Sequence, residues 1–282
     1  MKYISTRGYE QKFTAAEAIV KGIAPDGGLF VPESIPTIGR DEIEEMMNMQ
    51  YYQISARVLS KFLEDFTEAE LLEYTSKAYD LEKWEDKGVT LEQLNAYNGR
   101  EYILELWHGP TCAFKDVALQ LLPYLMTASM RKTGETAKIC ILTATSGDTG
   151  KAALEGFKDL PGTEIIVFYP SEGVSEAQKL QMITTGGANT HVIAVNGCFD
   201  DAQTGVKNIF ASSDFASKLA AANVKLSSAN SINWGRLVPQ IEYYVYSYVD
   251  LVRREKIELG DYINVVVPTG NFGNILAAWY AK

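Results

Sequence analysis

The stretch from Lys138 to Phe157 constrains this chain more than any other. Lys138 to Ala144 is a nearly unbroken apolar run of a length that suits a strand buried on both faces, the habit of parallel sheets covered by helices on either side. It leads into TSGDTGKAALEGF, where Gly147 and Gly150 permit a tight turn and Ala152, Ala153 and Leu154 open a helix. A strand, a glycine loop and a helix amino terminus in series make an anion site, because unpaired backbone NH groups point into the loop. The pattern GxxxxGK[ST] is not met, since it needs glycine in place of Thr145 and a hydroxyl residue in place of Ala152.

The alternation continues along the chain. Glu164 to Tyr169 reads as a strand, Ser175 to about Thr185 as a helix stopped by Gly186 and Gly187, and Thr190 to Val195 as a strand. This βαβ unit predicts a parallel sheet with a right-handed crossover. Ser171 to Gln178 reads as a plain helix start in preference to a phosphate site. Phe199 to Phe210 predicts a helix, Val224 to Ser228 a strand, and Ile263 to Val267 a last strand, which together place the chain in the α/β class. The amino-terminal part predicts a short strand, a helix from about Thr14 to Lys21 and a turn at Pro25 to Gly28. From Asp41 to about Lys87 the pattern is helical with a solvated acidic face. A boundary near residue 96 separates an α+β domain (1–96) from a region (97–282) that includes a smaller α/β subdomain at about 130–225.

Composition narrows the partners. A formal charge of -10 argues against nucleic acid and against an anionic membrane surface. The longest apolar runs are far too short to span a bilayer. Three cysteines, Cys112, Cys140 and Cys198, without CxxC spacing or a signal-peptide pattern, suit a reducing cytoplasm. With only His108 and His191, and no HExxH, the sequence offers no histidine-based metal site.

Three further stretches carry chemistry. HGPTCAFKD, His108 to Asp116, places a turn at Gly109 and Pro110, a threonine able to cap, and then Lys115 at the head of a helix whose apolar side includes Val117, Leu121 and Leu125. The positive end of a helix dipole beside an apolar stripe works against a cation, which is how an amine becomes a nucleophile. A plain surface lysine is the alternative. TGNFGN, Thr269 to Asn274, lets the backbone approach a ligand ahead of a helix starting at Ile275, although the dinucleotide pattern GxGxxG is absent. SANSINWGRL, Ser228 to Leu237, sets Asn233 and Arg236 between a strand and a long helix whose apolar side carries Ile241, Tyr244, Val245 and Val249. These two residues either cap the elements or contact a phosphate, for which the planar arginine fork is suited.

HGPTxAFKD, with Cys112 in the open place, resembles the segment bearing the pyridoxal phosphate (PLP) lysine of threonine synthases, members of the tryptophan synthase β-like (fold type II) PLP enzymes. YxSTRG followed by PDGGLFVPE, then SGDTG, SIN(xx)R and GNFGN, resemble other segments of that family in the family's order, so the resemblance covers nearly the whole chain. It implies parallel sheets flanked by helices, PLP as cofactor and Lys115 as its lysine. It further implies that Gly270, Asn271, Phe272, Gly273 and Asn274 surround the PLP phosphate. Asp148 would face the ring hydroxyl, where many fold type II relatives carry asparagine and threonine synthases of this type carry aspartate. Ser146, Gly147 and Thr149 would meet the substrate, and Asn233 and Arg236 its phosphate.

The implied reaction converts O-phospho-L-homoserine and water to L-threonine and phosphate. The alternatives are a related fold type II lyase, such as a threonine or serine dehydratase or a phospho-lyase, and a truncated chain without turnover. The sequence stops inside a helical stretch, Trp279 to Lys282. Because threonine synthases continue well beyond that point, the resemblance implies that a carboxy-terminal part is missing, including the partner of the pyridine nitrogen.

Overall fold

The structure, a computed structural model, describes residues 1–95 and 97–282, so the boundary expected near residue 96 lies outside the described residues. Strand β1 (Tyr3–Ser5) pairs with β2 (Phe30–Pro32), and α1 (Ala15–Lys21) lies between them in sequence. A capping box starts α1: the Thr14 hydroxyl accepts from Glu17 N, and the Glu17 carboxylate accepts from Thr14 N. The helical stretch that follows resolves into α2 (Arg40–Met46), α3 (Tyr51–Phe62) and α4 (Glu68–Ala78). Strands β3 (Thr90–Gln93) and β4 (Tyr102–Glu105) form an antiparallel pair. Then come α5 (Lys115–Thr133), β5 (Lys138–Ala144), α6 (Asp148–Phe157), β6 (Thr163–Pro170), α7 (Glu176–Ile183), β7 (Thr190–Val195), α8 (Phe199–Ala211), α9 (Ser213–Ala221) and β8 (Val224–Ser228). The chain closes with α10 (Trp234–Leu237), α11 (Pro239–Arg253) and α12 (Gly273–Ala281). No helix among the described residues is long and apolar enough to cross a membrane.

Two compact units interleave along the chain. The first comprises Met1, Pro32–Leu121 and Leu237–Lys282, and the second Lys2–Val31 and Leu122–Arg236. In the second unit β7, β6, β5 and β8 lie side by side in that order, and every pairing is parallel. Residues Ile139 to Ala144 of the inner strand β5 are all buried, as a strand covered on both faces must be. Cys140, Leu142 and Ala144 pack with Ala202 and Val206 of α8, while Ile139 and Ile141 alternate to the other side. Helix α6 packs on β6 so closely that a Cβ on Gly150 would stand 2.8 Å from Val167 Cγ1 and 2.5 Å from Thr145 Cγ2. Each valine, leucine or isoleucine buried in this way contributes about 1.5–3 kcal/mol, which fixes the sheet and thereby the loops at its strand ends.

In the first unit α11 packs against α3 and α12, and α3 against α4. The strand expected at Ile263 to Val267 does not form. These residues join no ladder, and Val265 and Val266 are 51% and 89% exposed. An apolar run supplies the side chains of a strand, but a strand also needs a neighbour's NH and C=O groups, and no described residue pairs with this stretch. Helix α9 was not legible in the sequence, where residues 211–223 carried no element. It begins at Ser212, whose hydroxyl accepts from Phe215 N.

Candidate active site

The first unit carries Lys115 and the TGNFGN loop. Lys115 is the first residue of α5, as its motif predicts. The preceding loop is stitched by Asp116, fully buried, whose carboxylate accepts from Thr111 N at 2.8 Å and from the Thr111 hydroxyl at 2.7 Å. Gly109 lies against this carboxylate so tightly that a Cβ there would come within 2.7 Å of Asp116 Oδ2. Lys115 Nζ lies 4.5 Å from the Phe114 ring centroid, within cation–π range. His108 is buried, with Nε2 2.6 Å from Glu105 Oε2 and Nδ1 3.3 Å from Glu85 Oε2, so it anchors the start of the same loop.

Residues 269–272 are exposed, and α12 begins at Gly273, two residues before the expected start. Among the described residues, nothing beyond its two chain neighbours lies within 4 Å of the place a Cβ on Gly270 would take, so the backbone there is open to a ligand. The first NH groups of α12 lack helical acceptors, which suits an anion. Asn274 is held from behind, since its Oδ1 accepts from the Tyr243 hydroxyl at 2.5 Å and from the Tyr244 hydroxyl at 2.6 Å. Burial pushes the Tyr244 phenol up to about 12, so it remains a donor at any working pH. An amine and an anion cradle in one unit fit a phosphorylated aldehyde such as PLP.

The second unit carries the other candidates. Thr145 organises the SGDTG loop from beneath, its hydroxyl accepting from Gly147 N at 2.9 Å and Gly150 N at 3.0 Å. Gly147 has φ 152, and a Cβ there would collide with the Gln178 carboxamide at 2.4 Å. Gln178 Nε2 in turn donates to Asp148 Oδ1 at 2.5 Å. Ser146 and Asp148 are exposed, and Thr149 is half-buried. The sequence treated Gln178 as part of a helix start, and Ser175 does cap α7 by accepting from Gln178 N; the side-chain grip on Asp148 left no trace in the pattern.

Asn233 is fully buried and its amide is committed within the unit. Nδ2 donates to Ile19 O at 3.1 Å and Ser228 O at 3.0 Å, while Oδ1 accepts from Gly235 N at 2.9 Å. This joins α1, the end of β8 and the start of α10. Arg236 follows on α10, 5% exposed, its backbone NH donating to Asn233 O. Asn233→Ala therefore strands two buried carbonyls and one NH group. It is expected to destabilise the chain by about 2–4 kcal/mol, read from urea unfolding. An unchanged midpoint would contradict this account of Asn233.

Comparison with known proteins bears on both halves. Residues 2–79 match the family model described as threonine synthase N terminus. Threonine synthase from Schizosaccharomyces pombe is 38% identical over 290 residues, an alignment covering 100% of this chain and 54% of that protein. The crystal structure of PLP-bound threonine synthase from Brucella melitensis superposes with a TM-score of 0.83 at 37% identity, covering 100% of this chain and 57% of that one. Over its whole length the chain is similar to threonine synthases. Its fold is accordingly that of the tryptophan synthase β-like PLP enzymes, as the sequence led us to expect. Threonine synthase-like 1 from Homo sapiens is 40% identical over 297 residues, covering 99% of this chain and 39% of that protein. The chain thus spans about half the length of the curated threonine synthases it matches.

One buried acid stands apart from the motifs. Glu242 on α11 is fully buried, and burial raises its carboxyl to about 8, against lowering by the hydroxyls of Ser55, Tyr79 and Tyr51. Periodicity puts Ile241, Tyr244 and Val245 on the buried side and gives no sign of the glutamate between them. Because α11 is covered on several sides, Glu242 and Tyr243 are buried as well.

Proposed function

We propose that the protein of which this chain is part is a PLP-dependent threonine synthase, converting O-phospho-L-homoserine and water to L-threonine and phosphate by β,γ-elimination and addition of water. The observation that carries this reading is the pairing, within one compact unit, of Lys115 at a helix head with an open glycine loop at the head of α12. Bound PLP would supply an electron sink for charge developing at the substrate α carbon. Lys115 would hold the cofactor through Nζ and move the proton at that carbon. Backbone NH groups of Gly270, Asn271, Phe272, Gly273 and Asn274 would bind the cofactor phosphate, with Tyr243 and Tyr244 fixing the Asn274 side chain. Asp148, steadied by Gln178, would face the ring hydroxyl, and Ser146, Gly147 and Thr149 would bind the substrate carboxylate.

Arg236 would bind the substrate phosphate, with Asn233 fixing the turn that presents it. Charge-assisted contacts of this kind contribute about 1.5–3 kcal/mol each, so Arg236→Ala is expected to raise KM for phosphohomoserine by about 10- to 100-fold with PLP uptake unchanged. Unaltered kinetics would remove Arg236 from the site. The free cysteines fit a cytoplasmic enzyme.

The match to a threonine synthase-like protein keeps a related fold type II lyase as the second reading. Product analysis separates them. Threonine and phosphate from phosphohomoserine support the synthase, whereas an oxoacid from a free hydroxy amino acid, without threonine formation, would overturn it.

A further inference from the structure

The mechanism above leaves Glu242 without a task, yet its surroundings connect it to the Lys115 turn. Its Oε2 meets the hydroxyl of Ser55 on α3 and, at 3.0 Å, that of Tyr79 just beyond α4. The Tyr79 hydroxyl also lies 3.1 Å from the carbonyl of Val117, two residues past Lys115 in the first turn of α5. A phenol owns a single proton. Tyr79 can donate to Val117 while remaining bonded to Glu242 only if the carboxyl donates to the phenol oxygen, which requires the neutral acid. Once the carboxyl ionises, the hydroxyls of Tyr79 and Ser55 both turn to it, and the Val117 carbonyl loses its second donor.

We propose that Glu242 is a positioning residue for Lys115: as the neutral acid it acts through Tyr79 to hold the first turn of α5, and on ionisation it lets that turn go. The proposal rests on the reading of Lys115 as the cofactor lysine.

The environment favours the neutral form near neutrality. The groups acting on Glu242 are the hydroxyls of Ser55 and Tyr51 on α3 and of Tyr79, with Tyr243 and Tyr246 of α11 facing those phenols, and no basic side chain is among them. On α2, Glu42 and Glu45 pair with Lys61 and Arg57. On α5, Asp116 is taken up by Thr111, and α12 carries no charged residue. Among the described residues neither Glu242 Oε1 nor the Tyr51 hydroxyl that acts on this carboxyl makes a hydrogen bond of good geometry, tolerable for the carbonyl oxygen of an acid but costly for a carboxylate. Burial sets the transition at about 8, just above neutrality.

Hydrogen exchange of the cofactor-free 282-residue chain tests the relay without reference to PLP. Amides of residues 116–121, corrected for intrinsic rates, are expected to exchange about fivefold faster at about pH 9 than at about pH 7, the worth of one hydrogen bond. Glu242→Gln keeps a donor and cannot ionise, so its profile should be flat, while Tyr79→Phe should exchange fast at both values. A wild-type pH response surviving in Glu242→Gln, or a Tyr79→Phe chain that exchanges like wild type at neutral pH, would overturn the proposal. The second readout is the PLP absorption band that depends on Lys115, which should weaken with rising pH in wild type relative to Glu242→Gln. If exchange switches and the bands track one another, the relay exists but does not position the lysine, and the proposal falls. If no variant takes up PLP at any pH, in the complete protein as well, the Lys115 reading fails, and the link to the cofactor fails with it, while the exchange profile still decides the relay.

Discussion

Lys115→Ala is expected to leave a folded chain that develops no visible absorption band with PLP and, in the complete protein, to lower turnover by at least about a thousandfold. The size follows from the two tasks assigned to one amine, since general acid–base catalysis alone contributes about 10²–10⁴-fold, and loss of the covalent hold adds to it. Stability should barely move. Lys115 is partly exposed at the first position of α5, alanine is the best helix former, and the contact with Phe114 is worth about 0.5–1 kcal/mol. The unfolding midpoint and the band therefore separate: a lost band with an unchanged midpoint assigns the cofactor to this amine. The other lysines near a glycine loop are already occupied, Lys151 with Glu155 at 2.7 Å and Lys158 with the Thr185 carbonyl at 2.8 Å. A band that persists in Lys115→Ala would sink the central assignment.

The sequence showed most clearly what repeats or what is locally encoded. The run Ile139 to Ala144 announced a doubly covered strand, and every one of those residues is buried. Thr14 with Glu17, and Ser175 with Gln178, encode their helix starts within a few residues of each other. Features requiring partners distant in the chain were not legible. Residues 263–267 have strand composition, but no described residue pairs with them, so composition misled. From its segment Asn233 reads as a phosphate contact in preference to a cap, and only the carbonyls of Ile19 and Ser228 reveal how its amide is used. Glu242 lay between apolar residues of a helical stripe, and its hydroxyl partners are contributed from 187 and 163 positions away. Periodicity reports one buried face; a helix enclosed on several sides buries residues that the pattern assigns to solvent.

The same glutamate sets the second large expectation, a fall in stability as pH rises through neutrality. Its carboxyl is raised from an ordinary 4.5 to about 8 in the folded chain by burial. In the unfolded chain the proton leaves near the ordinary value, so between these two values the folded state binds one proton more. Stability must then decline with pH, by up to about 1.4 kcal/mol per unit over that interval, and level off once both states are ionised. The stabilising effect is fully present only below the ordinary carboxylate range. Carboxylates shifted the other way act in a different window. Glu164, lowered first by Lys138 and then by His191, and Glu42, lowered first by Lys61, stabilise above their unfolded values and lose that effect only as acid protonates them. The two kinds of group thus predict greatest stability in mildly acidic solution, with loss on both sides for separate reasons. Urea unfolding at a series of pH values should show the alkaline-side decline in wild type and its absence in Glu242→Gln. A wild-type curve that is flat from about pH 5 to about pH 8 would mean that Glu242 ionises inside the folded chain at an ordinary value, and the buried neutral acid would have to be abandoned.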